Sequence, residues 1–335
     1  MKAEVLIDWL TFSVSTLRYC ENKSHVDLAE YTPQEVIRTF LGMDPALFEE
    51  TGVPLPGYAR ALSFSGIFVA YEPRENDHFK NMGICASMSG SGCRTFEAMS
   101  GLGPEPFLAL FKLLDATPGS NVSRVDVACD DHAGVLDMDV ICEKVRNNEI
   151  NSRMTKRRIY TGWDGLKKDG STVYIGSEKS AFRLRIYDKA LERGTQEHWI
   201  RVEIVMREKH SNSFAQLAAS GAPVGKLASY VLNDKFAFIE RDDSNISRCS
   251  VCSWWAEFVG TVASLHLVTR PIVEHAVARV DRWIYTQVAP SLAVLAQTYG
   301  LGHVIEIAMT AYDRLNQQQR ALIRDFRCAH TADTK

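Results

Sequence analysis

Three short segments of this sequence alternate apolar residues with residues that could act as acids, bases, nucleophiles or phosphate ligands. Successive side chains of an extended strand point to opposite faces, so every second residue shares a face. The polar residues that would share such a face are Arg124, Asp126 and Asp130 in the first segment, Arg183, Arg185 and Tyr187 in the second, and Arg201 and Glu203 in the third. If the three strands lie in one sheet, its polar face gathers carboxylates, arginines and a tyrosine. The alternative is that these charges only form cross-strand pairs on the wet face of an antiparallel sheet.

Together these residue types suit the cleavage of a phosphodiester bond. Two carboxylates such as Asp126 and Glu203 provide the hard oxygen ligands that Mg²⁺ or Mn²⁺ prefers, and the ion would polarise a phosphodiester oxygen. Arginines could bind the phosphate in a bidentate geometry and offset its developing charge. A tyrosine beside them could attack phosphorus. The product would be a phosphotyrosine and a free 3′-hydroxyl.

The segments that must position these residues are strand-like through the first two thirds of the chain. Strand patterns occur at 5–14, 65–71, 81–89, 123–130, 171–177, 181–188 and 199–207, with helical patterns at 33–41, 104–114 and 137–147. After about residue 211 only helices are predicted, at 212–219, 223–233, 252–266, 271–288, 289–299 and 302–327. We therefore predict an α+β fold: a central antiparallel β-sheet with flanking helices over residues 1–212, and an all-α C-terminal region over 213–335.

Charge and cysteine content restrict the setting of the protein. The net charge of the 335-residue chain is −3, but residues 153–209 carry fourteen Lys or Arg against eight Asp or Glu. A basic segment in a mildly acidic chain is typical of a protein that meets phosphate on one face. The eight cysteines are scattered, as expected of a reducing compartment, and no secretory signal or membrane span is recognised. We expect a cytoplasmic protein with no membrane partner.

Six segments, in order along the chain, resemble the core blocks of the replication initiation factor family, also called Rep_trans. They are IDWLTFSV, MSGSGCRTFE, SRVDVACDD, VYIGSEKSAFRLRIYDKALE, WIRVEIVMR and RWIYTQVAPSLAVLAQ. The resemblance implies a rolling-circle replication initiator that nicks and rejoins one strand at an origin through a covalent 5′-phosphotyrosine, with Mg²⁺ or Mn²⁺. Relaxases of integrative conjugative elements share this chemistry and remain an alternative. A non-catalytic, sequence-specific DNA-binding protein and a nuclease that uses water as the nucleophile are further alternatives.

The resemblance also implies roles for individual residues. Tyr187, in the block RIYDK, is the expected nucleophile, with Lys189 close behind it, and Tyr160 and Tyr174 are rival nucleophiles. Asp126 and Glu203 are the expected metal ligands, with Asp130 or Glu178 as a third. Arg201, and after it Arg185, are expected to contact the phosphate. The chain has no His-hydrophobic-His triplet, and His132 is the only histidine near a core block, so a carboxylate metal site is preferred over a histidine one.

The predicted partner is origin DNA, single-stranded or folded into a hairpin. The residues expected to contact it are Arg94, in the Gly-rich turn SGSGCR, and Lys156, Arg157, Arg158, Lys179 and Arg183 in the basic segment. A host helicase and a second copy of the chain are further partners implied by the resemblance. Cys249 and Cys252 have the spacing of half a zinc site, but no second pair completes it. Trp254 and Trp255 are interpreted as core residues.

Overall fold

The computed structural model describes residues 3–15, 31–52, 55–74, 82–165, 167–267, 281, 284, 288–315, 320 and 323. The chain divides into two compact units, the first formed by residues 1–14 and 111–268 and the second by residues 15–110 and 269–335. The strands are β1 (Ala3–Val14), β2 (Glu49–Glu50), β3 (Tyr58–Phe64), β4 (Ile67–Pro73), β5 (Ile84–Met88), β6 (Asn121–Asp131), β7 (Ile150–Asn151), β8 (Arg157–Asp164), β9 (Lys167–Ile175), β10 (Phe182–Asp188), β11 (Ile200–Arg207) and β12 (Ala237–Phe238). The α-helices are α1 (Pro33–Phe40), α2 (Gly90–Met99), α3 (Pro106–Asp115), α4 (Met138–Arg146), α5 (Lys189–Arg193), α6 (Lys209–Ala219), α7 (Val224–Lys235), α8 (Ser253–Ala263), α9 (Ala289–Tyr299) and α10 (Leu301–Tyr312).

Six strands of the first unit are hydrogen-bonded in the order β1-β6-β11-β10-β9-β8, and every neighbouring pair is antiparallel. This order is not the chain order, because β11 inserts between β6 and β10. The strands that carry the predicted catalytic residues therefore become direct neighbours. In the second unit β2, β3, β4 and β5 pair antiparallel in chain order.

One face of the first unit's strands is an apolar core. Val125, Val127, Val202 and Ile204 are fully buried, as the alternation of apolar residues predicts. Helix α6 contacts β6 and β11, α7 contacts β11, and α8 contacts β1. Removing this apolar face from water is the main favourable contribution to folding and leaves the opposite face to the polar residues.

The predicted fold class is confirmed, and most predicted elements lie within a few residues of the observed ones. Asp137 caps α4 by accepting hydrogen bonds from the backbone of Asp139 and Val140. Strands β2, β3, β7, β8 and β12 and helices α2 and α5 were not predicted, and β12 lies in the region for which only helices are predicted. Most of the predicted helix at 271–288, and most of 302–327 beyond α10, lie outside the described residues.

The division into units differs from the predicted boundary at residues 212/213. That boundary falls inside α6, and helices α6 to α8 group with the six strands of the first unit. The physical reason is that the apolar face of β6 and β11 needs cover, which α6 and α7 provide through Phe214, Ala218 and Leu232. No helix among the described residues is long and apolar enough to cross a membrane.

Candidate active site

The register of the sheet arranges the polar residues of the first unit in cross-strand rows. One row joins Tyr160, Thr172, Tyr187, Arg201, Asp130 and Glu4, from β8 to β1. The next row joins Arg158, Tyr174, Arg185, Glu203, Ala128 and Leu6 in the same strand order. We call β1, β6 and β11 the carboxylate half of this face and β8, β9 and β10 the aromatic half. Tyr187 lies where the two halves meet.

Tyr187 is 3% exposed, and its hydroxyl donates a hydrogen bond to Oε1 of Glu203 at 2.7 Å. Arg185 donates to Oε2 of the same carboxylate at 3.3 Å, and its guanidinium carbon lies 3.9 Å from the centre of the Tyr187 ring. The ammonium nitrogen of Lys189 lies 5.4 Å from that ring centre and pairs with Glu192 at 2.6 Å. The phenol thus contacts a base on one side and cations on the other.

Arg201 is fixed beside Tyr187 by a buried ion pair. Its Nε and Nη2 donate to the two oxygens of Asp130, both at 2.7 Å, and its Nη1 donates to Asp8 at 3.3 Å. Asp130 is fully buried and Arg201 is 5% exposed. A two-point contact of this kind sets the orientation of a guanidinium as well as its position.

Asp8 was not among the residues expected at this site. The pairing of β1 with β6 shifts by one residue between Ile7 and Trp9, which leaves Asp8 as the extra residue of a β-bulge. A bulge redirects a side chain, and here the Asp8 carboxylate reaches Arg201. The burial pattern reflects the bulge, because the fully buried positions change phase from Val5 and Ile7 to Leu10.

Asp126 is 5% exposed and accepts two hydrogen bonds from Arg124, at 2.9 and 2.6 Å. It lies opposite Val205 in the register, two residues along the strand from Glu203. The three predicted metal ligands are therefore on neighbouring strands and on one face, but each is engaged by a different partner: Asp126 by Arg124, Asp130 by Arg201, and Glu203 by Tyr187 and Arg185.

Burial and nearby negative charge raise the pKa values of Glu203, Asp126 and Tyr187. Burial first, and then the charge of Asp8, raise the pKa of Glu203 above its ordinary value, although Arg185 opposes the shift. Burial also raises the pKa of Asp126, with Asp8 adding to it and Arg124 opposing it. The pKa of Tyr187 is raised well above that of an ordinary phenol, first by burial and then by Glu203, against the opposing charges of Arg201 and Arg185. Crowded carboxylates favour the binding of a cation, because its charge offsets their mutual repulsion.

A second group of residues could also hold a metal ion. Among the described residues, the set of three whose ligand atoms lie within 4.8 Å of one another is Glu4, Asp130 and His132. Asp130 belongs to this set and to the predicted one. Glu178, the other predicted third ligand, is 73% exposed in its side chain and lies 3.9 Å from Arg158, in the aromatic half.

The rival nucleophiles have different surroundings. Tyr160 is 53% exposed, and its hydroxyl contacts Arg158 at 3.5 Å. Tyr174 packs edge-on against Tyr160 and beneath Arg183, whose guanidinium carbon lies 4.1 Å from its ring centre. Of the three tyrosines, Tyr187 has a carboxylate hydrogen-bonded to its hydroxyl.

Four of the predicted DNA contacts, Lys156, Arg158, Lys179 and Arg183, line a cleft of about 350 Å³ at the end of β8 and β10. Arg157 does not join them, because successive residues of a strand face opposite ways. Its guanidinium instead donates to Asn148 and to the backbone of Ile150, at 3.2 Å for the latter. Burial lowers the pKa of Arg157.

The predicted Gly-rich turn at Arg94 is not a turn. Residues Gly90–Met99 form α2, and Arg94 is 8% exposed and pairs with Glu97 at 3.1 Å. The glycines serve packing: a Cβ on Gly92 would lie 2.2 Å from the carbonyl oxygen of Gly66 in the β3–β4 turn. This geometry does not present Arg94 to a phosphate. Cys249 and Cys252 are buried free cysteines, and Trp255 is fully buried.

Comparisons with known proteins agree with this arrangement. The model of the replication initiation factor family (Rep_trans) matches residues 120–309, and that of the rolling circle replication initiation protein N-terminal domain matches residues 24–112. The Bacillus subtilis (strain 168) protein named "Putative DNA relaxase NicK" is 22% identical over 285 residues, covering 81% of this chain and 79% of the relative. The solved structure of a rolling circle replication initiator protein from Geobacillus stearothermophilus superposes with a TM-score of 0.70 at 26% identity, over 80% of this chain and 99% of that one. The match to the replication initiation factor model covers more than half of this chain and includes Tyr187, Arg201 and Glu203. The chain therefore belongs to the replication initiation factor family.

Proposed function

We propose that this protein initiates rolling-circle replication by nicking and rejoining one strand of origin DNA, with Tyr187 as the nucleophile and a divalent cation as cofactor. The observation that carries the proposal is the hydrogen bond from the Tyr187 hydroxyl to Glu203 at 2.7 Å, made within a cluster that also contains Arg185 and Arg201. The family match and the initiator and relaxase names of its relatives support DNA nicking as the reaction class.

The reaction follows from the contacts of Tyr187. Its oxygen attacks the scissile phosphorus while its proton leaves along the hydrogen bond to Glu203, whose raised pKa makes it a better base at neutral pH. The bond from phosphorus to the 3′ oxygen breaks, and that oxygen takes a proton from water. The products are a 5′-phosphotyrosine and a 3′-hydroxyl. Rejoining is the reverse reaction, in which a 3′-hydroxyl attacks the phosphotyrosine and Glu203 returns the proton.

The arginines stabilise charge at the phosphate. Arg201 is held in one orientation by Asp130 and so presents a fixed donor beside Tyr187, while Arg185 lies over the Tyr187 ring. Groups that are already oriented need no reorganisation as charge develops, and this makes their contribution large. We assign Asp130 a positioning role through Arg201.

The residues present fit a divalent cation. Asp126 and Glu203 would hold it, with Asp8 as the third ligand, because Asp8 is close enough to both carboxylates to raise their pKa values. A bound Mg²⁺ or Mn²⁺ would offset the repulsion among these acids, lower the pKa of the phenol and polarise the phosphate. The group of Glu4, Asp130 and His132 is the competing site.

The test is a covalent adduct assay. Purified protein is incubated with 5′- and 3′-labelled single-stranded oligonucleotides that tile its own replicon, with Mn²⁺ or with EDTA, and resolved on denaturing protein gels. A metal-dependent adduct with the DNA 3′ of the break is expected for wild type and for Tyr160→Phe and Tyr174→Phe, and should be absent for Tyr187→Phe. An adduct that persists in Tyr187→Phe would mean that another residue, such as Tyr160 or Tyr174, is the nucleophile. Cleavage without an adduct would indicate a nuclease that uses water, and binding without cleavage a non-catalytic DNA-binding protein.

The metal ligands can be separated in the same assay. Asp8→Asn and Asp126→Asn should each require more Mn²⁺ for half-maximal adduct formation, whereas Glu4→Gln and His132→Ala should not. If Glu4→Gln and His132→Ala instead required more Mn²⁺, the ion would be assigned to Glu4, Asp130 and His132.

A relaxase of an integrative conjugative element is the second candidate function. The relative named as a DNA relaxase, matched over 81% of this chain, favours it. Replication initiation and strand transfer use the same chemistry. Transfer genes next to the gene for this protein would favour the relaxase function. A helicase and a second copy of the chain remain predicted partners.

A further inference from the structure

The aromatic half of the polar face carries two tyrosines that the nicking reaction does not use. Tyr160 on β8 is opposite Thr172, which is opposite Tyr187 on β10. Tyr160 therefore lies in the same row as the nucleophile, two strand spacings or about 10 Å away. Tyr174 lies in the next row, between Arg158 and Arg185. Both rings therefore lie on the same face of the sheet as Tyr187 and close to the position of the scissile phosphate.

The Tyr160 ring is presented to solvent rather than to the core. It is 53% exposed and packs edge-on against Tyr174, with ring centres 5.8 Å apart and planes at 82°. A cross-strand aromatic pair stabilises a hairpin, which accounts for the contact between the rings. It does not account for leaving half of a large ring open beside an active site. An exposed ring of this kind is a surface on which a nucleobase can stack.

Cations adjoin the two rings on one side. Arg183 stacks on Tyr174 at 4.1 Å and also lines the cleft formed with Lys156, Arg158 and Lys179. Glu178 is the carboxylate among the cleft-lining residues, and it is 73% exposed in its side chain. A basic groove beside stacking rings is the arrangement by which proteins hold single-stranded nucleic acid, with phosphates in the groove and bases on the rings.

We propose that Tyr160 and Tyr174 form a base-stacking platform, and that the cleft of Lys156, Arg158, Lys179 and Arg183 binds the adjoining phosphates of a single DNA strand. The proposal rests on the proposed function only in taking Tyr187 as the position of the scissile phosphate. Phosphates along a stacked strand are about 3.4 Å apart, so the distance of about 10 Å from Tyr187 to Tyr160 corresponds to about three nucleotides. The platform therefore binds bases within about three nucleotides of the nick. Stacking needs an unpaired base, so the origin must be single-stranded at this position, even if it is a hairpin elsewhere.

The test measures binding without cleavage. In the Tyr187→Phe background and in EDTA, the affinity for a labelled oligothymidylate is measured by fluorescence anisotropy, next to an abasic oligomer of the same length. Tyr160→Ala should weaken oligothymidylate binding by about 5- to 150-fold and leave binding of the abasic oligomer unchanged. Tyr160→Phe restores the ring and should restore the affinity.

The matched control is Tyr230→Ala, which removes a 71%-exposed tyrosine from α7, away from the sheet's polar face, and should change neither affinity. Equal losses on the two oligomers, or a loss in Tyr160→Phe as large as in Tyr160→Ala, would overturn the platform. The adduct assay tests the nicking function separately. If Tyr160→Ala weakens oligothymidylate binding but wild type forms no adduct, only the nicking function is contradicted. If wild type forms the adduct but Tyr160→Ala binds oligothymidylate normally, only the stacking platform is contradicted.

Discussion

The two halves of the polar face use charge in opposite ways. In the carboxylate half, Asp126, Asp130, Arg201 and Glu203 are each at most 6% exposed and each is paired at short distance. In the aromatic half, the side chain of Arg158 is 46% exposed and Tyr160 is 53% exposed. Buried charges are strongly coupled and poorly screened, so small geometric changes there should alter chemistry. Exposed groups are screened by salt and should alter affinity instead.

The largest difference between the halves should appear when an arginine of each is replaced by lysine. Arg201→Lys keeps the charge but loses the two-point contact with Asp130, so the rate of adduct formation at saturating oligonucleotide should fall by about 10²- to 10³-fold. Arg183→Lys, in the cleft, should weaken binding and leave that rate nearly intact. Single-turnover kinetics separate the two effects. An Arg201→Lys variant that loses only affinity would show that the two halves do not differ in this way.

The carboxylate half should also make stability depend on pH and on divalent cations. The pKa of Glu203 is raised in the folded protein, first by burial and then by Asp8, so the stability that this group contributes is present below pH 4.5 and is lost as the pH rises through its folded-state pKa. In EDTA, Glu203→Gln should therefore melt higher than wild type at pH 7, and the gap should shrink near pH 4.5. Mn²⁺ should raise the melting temperature of wild type more than that of the variant.

Differential scanning calorimetry at both pH values measures both effects. Asp126→Asn is the matched variant, because its carboxyl pKa is shifted in the same direction by burial. A wild type that is more stable than Glu203→Gln at pH 7 in EDTA would mean that the Tyr187 and Arg185 contacts outweigh the burial of the charge.

A smaller effect is expected in the aromatic half, on the salt dependence of binding. Each cation that neutralises a phosphate of a single strand contributes about 0.7 to the slope of log affinity against log salt concentration. Lys179→Gln should reduce the slope by about that amount, whereas Lys226→Gln, at an exposed position of α7, should not. Equal slopes in wild type and Lys179→Gln would show that Lys179 in the cleft does not contact the DNA phosphates.

The smallest effect on DNA is expected outside both halves, at Arg94. Arg94→Gln breaks a buried ion pair with Glu97 and should lower the free energy of unfolding by about 3 kcal/mol. The oligonucleotide affinity of the folded variant should be unchanged. A loss of affinity without a loss of stability would instead support the original prediction that Arg94 contacts DNA.

Strand parity could be read from the sequence because it is a local property of an extended chain. The alternation of Val125 and Val127 with Asp126 assigned each residue to a face, and the register agrees. The same reasoning failed at SGSGCR, where glycines are as compatible with a turn as with a helix that packs closely on a neighbouring turn. The absence of a Cβ on Gly92 lets helix α2 pack closely on Gly66, a contact between residues far apart in sequence.

The sequence by itself determined the fold class, the faces of the strands that carry the candidate site, the family resemblance and the grouping of Tyr187, Arg201 and Glu203. It could not determine how these groups pair, because pairing depends on strand order and register, which the whole sheet sets. Only the tertiary structure placed β11 between β6 and β10, joined Arg201 to Asp130 and Tyr187 to Glu203, and brought Asp8 to the site through the bulge in β1. The physical reason is that the register decides which side chains of neighbouring strands can pair, and burial of the apolar face of the whole sheet sets the register.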